Sequence, residues 1–516
     1  MLILIPPLVL FITALALVIL SVARPTFRFG WLVAVSGSLV AMLSVLFWQV
    51  QMPFNISLPP WQLAVFDEAP SLQADGFSWP YAISIAALTL AIILTSVARP
   101  PLANSFPWAG TLALSGLGIL AATAENPLTL LLAWAALDLT ELVTQLRSVD
   151  SPTTSERVVI AFSTRAAGNG LLLWANIVSA ATGSTLDFGS LSPQTGLLMV
   201  TAAGLRLGVL PLNLPYPPLK NLRRGFGAAL RLIPAASSLT LLAKIPEQSA
   251  GSFFTNILFL LTVIAGLYGS WMWLRAPDEL TGQPFWIIGI AALAISCALG
   301  SNRAGTVAWG SALVIVGGAL FLATAQHIWV NRALLIGAWS LSSLPFSLTA
   351  SVWNTGSYGF FFPFLIATQA LLIAGFARHA LRASGRDSID SQPDWTRKVY
   401  PAGIGLILLT QLLLGLFGWD GAQQVGHIPA AAAASLLTFG LVWATPRLRL
   451  LNPVRAHWVK PASSWLDRMY RGLWGFYQWL GRISQAVTAT LEGGGGIMWT
   501  LLFMVLFISL MTQVNP

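Results

Sequence analysis

Charge is what this chain has least of. Only 9% of its 516 residues are Asp, Glu, Lys or Arg, against roughly a quarter in an ordinary soluble domain. Beside 56% hydrophobic residues, that is too little polar surface to cover a water-soluble fold. Cysteine is nearly absent. Cys297 stands alone, which excludes an intrachain disulfide and a thiolate metal cluster. Histidine is almost as rare, and His327, His379, His427 and His457 are widely spaced, so the sequence implies no haem or zinc centre. Acids are outnumbered, 18 to 27, for a net charge of +9. Such an excess could suggest nucleic acid, but scattered Arg in an apolar chain marks loops on the negative side of a membrane. Nucleic acid is therefore not an expected partner. No Gly-rich nucleotide loop, metal-ligand cluster or nucleophile–base arrangement occurs, so no cofactor and no catalytic site of its own is expected.

What the chain has in quantity is long apolar runs. Crossing about 30 Å of hydrocarbon takes about 20 residues, and roughly sixteen stretches qualify. They are Leu2–Val22, Gly30–Val50, Tyr81–Val97, Ser105–Ala124, Pro127–Leu146, Arg157–Thr182, Thr195–Leu214 and Phe226–Ala243. The second half adds Phe253–Leu274, Phe285–Leu299, Gly305–Ala325, Arg332–Ser351, Tyr358–Ala377, Tyr400–Gly418, Ile428–Ala444 and Ile497–Thr512. The expected fold is an all-α polytopic membrane protein. The first stretch has no basic lead-in and reads as a retained span, not a cleaved signal.

Loop charge tests this count independently. With the N-terminus outside, only Lys244 and Arg303 of the 27 basic residues fall in outer loops, and only Arg165, Arg206 and Arg231 within spans. A missed or invented span in mid-chain would swap every later loop and destroy that asymmetry. Both termini are thus expected outside a cell inner (plasma) membrane. One inner segment reads differently: Trp465, Met469, Leu473, Tyr477 and Leu480 recur every three or four residues among charges. That pattern predicts an amphipathic helix in the headgroup plane, either an interfacial anchor or a lateral brace against a neighbouring subunit.

An ionised side chain at mid-bilayer costs roughly 2.5–3.5 kcal/mol on insertion scales. Five occur here. Asp138 and Glu141 stand three apart in the fifth stretch, hence on one helix face; Arg165, Arg206 and Arg231 lie in the next three. Pro211 follows Arg206 and Pro234 follows Arg231, and proline opens a membrane helix where a cavity or a neighbour can satisfy the freed backbone. Asp138, Glu141, Arg206 and Arg231 are the candidates for a buried proton or ion path. The competing reading is a static ion-pair network holding helices together. Arg does not release its proton, so only the two acids could titrate.

Ordered motifs extend across the chain. Leu72-Gln73-Ala74-Asp75-Gly76-Phe77-Ser78 precedes the third span, and Asn126-Pro127-Leu128-Thr129 runs on to Trp134. Ala161-Phe162, Arg165 and Gly168-Asn169 lead to Gly183-Ser184-Thr185-Leu186-Asp187-Phe188; Arg206 is followed by Pro211-Leu212-Asn213 and Pro217. Leu491-Glu492-Gly493-Gly494-Gly495-Gly496 opens the last span towards Trp499. In order and spacing these resemble the antiporter-like membrane subunits of respiratory complex I, the membrane-bound hydrogenases and the Mrp cation/proton antiporters. The resemblance implies two broken-helix inverted repeats, a lateral helix, and partners among other membrane subunits of a respiratory, hydrogenase or Mrp-like complex. The expected organisation is spans 1–4 in residues 1–124, a first repeat in 125–250, a second in 251–385, and C-terminal spans with the amphipathic helix in 386–516.

The departures from that family are as informative. Its proton-carrying Glu after the Trp is Ala135 here, with Asp138 one turn on; its Lys is Arg206, and its His is Asn213. The acid after Gly168 is Asn169, and the distal lysines lack counterparts at Leu280 and after Ser343-Leu344-Pro345. The expectation is a proton/cation-translocating subunit with a reduced or rerouted path. Asp75, Arg165, Asn169 and Asn213 are read as structural. A non-conducting spacer subunit and a stand-alone ion transporter are the alternatives.

Overall fold

In a computed structural model the described residues run from 2 to 447, apart from 25–26, 28, 58–68, 99–104, 148–151, 182–187, 189–191, 215–223, 246–252, 325–327, 383–391, 418, 420 and 423–424. The chain divides into two units, Met1–Pro453 and Val454–Pro516. The second unit lies wholly outside the described residues, and with it the amphipathic stretch Trp465–Leu480 and the span Ile497–Thr512.

The first unit is helical because lipid leaves a spanning backbone no other partner than itself. Its helices are α1 (Ile5–Ala23), α2 (Gly30–Gln51), α3 (Ser78–Thr95), α4 (Phe106–Thr123), α5 (Pro127–Arg147), α6 (Pro152–Ala181), α7 (Pro193–Arg206) and α8 (Phe226–Lys244). They continue with α9 (Phe253–Arg275), α10 (Glu279–Leu299), α11 (Arg303–Leu322), α12 (Ile328–Ser340), α13 (Phe362–Leu381), α14 (Asp394–Leu416) and α15 (Ile428–Arg447). Among the described residues twelve helices are long and apolar enough to cross a membrane. Helices α7 and α12 are shorter, 14 and 13 residues. A small antiparallel hairpin, β1 (Phe54–Ser57) with β2 (Ser71–Ala74), pairs Phe54 with Ala74 between α2 and α3.

Burial sorts the helices. Those of α3, α8, α10 and α11 are almost entirely enclosed, whereas α1 and α2 turn most of their surface outward. Glycines let the enclosed helices approach closely. A Cβ at Gly310 of α11 would overlap the Tyr81 hydroxyl, and one at Gly317 would lie 2.6 Å from Trp286 Nε1.

Two five-helix sets share one pattern of neighbours. In α4–α8 the touching pairs include α4 with α5, α5 with α6, α6 with α7, α7 with α8 and α4 with α8; the corresponding pairs touch in α9–α13. The fourth helix of each set stops short. Arg206-Leu-Gly-Val-Leu-Pro211 ends α7 and Ser340-Leu-Ser-Ser-Leu-Pro345 ends α12. The turn after α7 takes Gly208 at φ 74°, and the one after α12 takes Ser343 at φ 56°.

Several boundaries differ from the sequence expectation: α7 and α12 stop well before the expected ends at Leu214 and Ser351, and α10 starts earlier. Helix α10 begins at Glu279, not Phe285, because Asp278 caps it: its carboxylate accepts from the Thr281 N–H at 2.7 Å and from the Thr281 hydroxyl at 2.9 Å. Helix α10 therefore carries an acid in its first turn. Glu279 is buried and pairs with Arg224 at 2.6 Å, and Arg224 also donates to the Ala323 carbonyl past the end of α11.

Candidate functional site

Four charged side chains meet inside the first set. Asp138 and Glu141 on α5, Arg165 on α6 and Arg206 at the end of α7 are each 0–2% exposed. Arg206 grips Asp138 with two prongs, Nη1 to Oδ2 at 2.6 Å and Nη2 to Oδ1 at 3.0 Å. Its Nη1 also donates to Asn169 Oδ1 at 2.7 Å and its Nε to Ser238 Oγ of α8 at 3.1 Å. The Arg206 guanidinium carbon lies 4.2 Å from the centre of the Trp134 ring, a cation–π contact strengthened by exclusion of water. Arg165 stands between the acids, with Nε 3.3 Å from Asp138 Oδ1 and Nη1 3.1 Å from Glu141 Oε1. Asn169 Nδ2 completes the set by donating to Asp138 Oδ2 at 3.2 Å.

Local sequence explains why Arg206 can reach so far in. Helix α7 cannot continue into Pro211, so the chain turns there and the Arg206 side chain is left at the broken end. Opposite it on α6 is Gly168, where a Cβ would sit 2.5 Å from Arg206 Cγ and 3.0 Å from the Ala202 carbonyl. Any side chain at 168 would displace the arginine. Asn213 closes the turn, its N–H donating to the Gly208 carbonyl at 3.0 Å and its Nδ2 to the Pro211 carbonyl at 3.1 Å.

The two acids are held unequally. Both oxygens of Asp138 are engaged by cations, while Glu141 uses Oε1 alone, for Arg165 and for the Gln145 amide. Glu141 Oε2 accepts no hydrogen bond from any described protein group. Paired acids at this depth are the groups that could exchange a proton; the guanidiniums set the field around them.

The other candidate residues divide between this cluster and its surroundings. Arg231 donates to Gln283 of α10. Arg165 and Asn169, read as structural, belong to the same cluster as Asp138. Asp75 lies apart, its Oδ1 accepting from the Phe77 and Ser78 N–H groups at 3.2 and 2.7 Å at the start of α3. Gln145 and Gln283 escaped the sequence reading, although Gln in an apolar helix is itself a signal that a buried partner exists.

Around the break of α12 the side chains are neutral. Gln411 donates to Ser340 Oγ, and Thr349 Oγ1 donates to the Ser340 carbonyl at 2.8 Å. Gln369 of α13 donates to the Leu341 carbonyl at 2.8 Å and to Ser343 Oγ at 2.9 Å, and accepts from Trp353 Nε1 at 2.9 Å. Arg378 and His379 lie in the last turn of α13, bonded to the Leu274 and Trp273 carbonyls. Where the first break carries a guanidinium, the second carries the hydroxyl of Ser340. Among the described residues no group of three or more His, Cys, Asp or Glu is placed to hold a metal ion.

Solved membrane complexes contain the same architecture. A chain of the membrane-bound sulfane sulfur reductase, an archaeal respiratory membrane complex, matches with a TM-score of 0.68 at 14% identity, covering 98% of this chain and 99% of that one. A chain of the Mrp complex from a Dietzia species matches at 0.66 and 13% identity, over 99% of this chain and 63% of that one. Respiratory complex I from Thermus thermophilus, with bound Aureothin, contains a chain matching at 0.60 and 17% identity, over 82% of this chain and 100% of that one. No protein-family model matches the sequence, and no curated protein does. The fold is that of these membrane chains of respiratory and Mrp complexes.

Proposed function

We propose that this chain is a membrane subunit of a multi-subunit respiratory, hydrogenase or Mrp-like assembly, and that its proton path is confined to the first five-helix set. It lies in the cell's inner membrane with both termini outside, so the arginine-poor ends of the helices face out. Asp138 and Glu141 are the acids of the path, Arg165 and Arg206 hold them, and Arg231 marks its flank towards α10.

One contrast carries this reading. At the α7 break two carboxylates and two guanidiniums are enclosed together, whereas the α12 break is ringed by amides and hydroxyls. Amides and hydroxyls form hydrogen bonds but hold no charge at neutral pH, so among the described residues the α12 break itself offers no group that stores a proton. Within the first set, Glu141 is the exchanging acid, because no described protein group donates to its Oε2 and both oxygens of Asp138 are held by guanidiniums.

The equal number of acids and bases in the cluster favours a second reading, a static spacer whose charges only tie α5, α6 and α7 together. Glu141→Gln separates the two. In the native assembly reconstituted into vesicles, the substitution lowers the number of protons moved per turnover while assembly stays intact. An unchanged stoichiometry leaves only the spacer.

A further inference from the structure

Helices α9 and α13 end together, and around the turn from α9 into α10 they gather three guanidiniums that the function above does not use. Arg275 is the last residue of α9. Its guanidinium carbon lies 5.5 Å from the centre of the Trp271 ring, one turn back. Arg378, in the last turn of α13, donates to the Leu274 carbonyl. Arg382, just past that helix, donates to the Pro277 carbonyl at 2.7 Å. The charges thus crowd about a single turn of chain.

Capping explains part of this. Cations favour a helix C-terminus, and the Arg378 and Arg382 bonds satisfy carbonyls at and beyond the end of α9. Capping does not explain the excess of charge. Arg378 and Arg382 stand four apart, a spacing at which like charges repel, and the Arg382 charge acts on Arg378. Among the described residues the ion pairs include neither Arg275 nor Arg378. Asp278 lies beside them, but its two oxygens already hold Thr281 at the start of α10.

The cluster sits where a lipid headgroup would. The 23 residues of α9 rise about 35 Å at about 1.5 Å each, close to the thickness of the hydrocarbon layer. Leading away from Arg275, the outward face of α9 is apolar: Trp271 is half-buried, and Ile264, Leu261, Leu260 and Ile257 are exposed. On α13, Leu381 is exposed beside Arg382. We propose that Arg275 and Arg378 hold the phosphate of one anionic phospholipid, whose acyl chains lie along the exposed face of α9. Guanidinium forks match a phosphate in geometry and charge, and basic pockets between spanning helices are where anionic headgroups settle. An acidic loop of a neighbouring subunit would match the charge but not the apolar face that leads away from it. The inference is independent of whether the chain conducts protons.

The native assembly, delipidated in detergent, is titrated with phosphatidylglycerol, phosphatidylcholine or inorganic phosphate. Bound lipid is counted by native mass spectrometry, and thermal unfolding is followed in parallel. The expected result is that phosphatidylglycerol binds and raises the melting temperature, while phosphatidylcholine and inorganic phosphate do neither. Arg275→Gln/Arg378→Gln should weaken the tightest-bound phosphatidylglycerol about tenfold or more. Arg332→Gln, at the start of α12 and outside the cluster, should leave it unchanged. If the double variant binds phosphatidylglycerol as wild type does, or Arg332→Gln weakens it equally, the arginines are caps and the inference fails. Inorganic phosphate that stabilises wild type as well as the lipid does would make this a site for a free anion. Loss of a neighbouring subunit from the double variant, with the lipid count unchanged, would make it a protein interface; either result overturns the proposal. Should the double variant not fold, Arg275→Gln alone decides, since it keeps the Arg378 bond to Leu274, and undiminished binding there is equally fatal.

Discussion

Asp138→Asn isolates the energetic weight of the ion cluster. Asp138 takes both prongs of Arg206 at 2.6 and 3.0 Å, the Arg165 Nε at 3.3 Å and the Asn169 amide at 3.2 Å, all at 2% exposure. An amide there strands one guanidinium charge in a site where charges otherwise cancel. Removing one partner of a buried pair costs about 3–5 kcal/mol in soluble proteins. In a bilayer the separated helices find other partners, which shrinks such terms, so the expected cost is about 3 kcal/mol, roughly a hundredfold in the folding equilibrium. The double variant Asp138→Asn/Arg206→Met removes both charges. It should recover about half of that loss, because a well-packed apolar replacement of a buried pair is close to neutral. Both are measured by unfolding the purified assembly in detergent under reversible conditions. A double variant no more stable than the single one would refute the stranded charge as the cause.

Two further outcomes follow from the same geometry. Gly168→Ala gains helix propensity of about 1 kcal/mol, but its Cβ meets Arg206 Cγ at 2.5 Å and the Ala202 carbonyl at 3.0 Å, and overpacking costs about 1–3 kcal/mol. The variant should be less stable than wild type and lose translocation as Glu141→Gln does; a more stable, fully active protein would show that Arg206 needs no such room. Gln369→Leu leaves the Trp353 N–H and the Leu341 carbonyl without their amide partner. It should cost about 1–3 kcal/mol in thermal unfolding yet leave protons per turnover unchanged, and a drop in that number would place the second set on the path.

The sequence by itself determined the class of molecule, for a reason that does not depend on packing. Too few charges and too many apolar runs admit only a membrane, and a spanning chain must satisfy its backbone within each helix. The depth of Asp138, Glu141, Arg165 and Arg206 was legible in the same way, as was the break after Arg206, since Pro211 cannot extend a helix. Tertiary structure alone decided which charge meets which. A spacing of three puts Asp138 and Glu141 on one face, but periodicity does not say which neighbour that face meets. Sequence order places Arg231 near the acids; only the packing of α8 on α10 shows that it also meets Gln283. Arg165 comes to lie between the two carboxylates, and Arg206 reaches Asp138 only because Gly168 leaves a gap on the facing helix. Those choices are made by close contact between helices distant in the chain, where one absent methyl group decides whether a guanidinium fits.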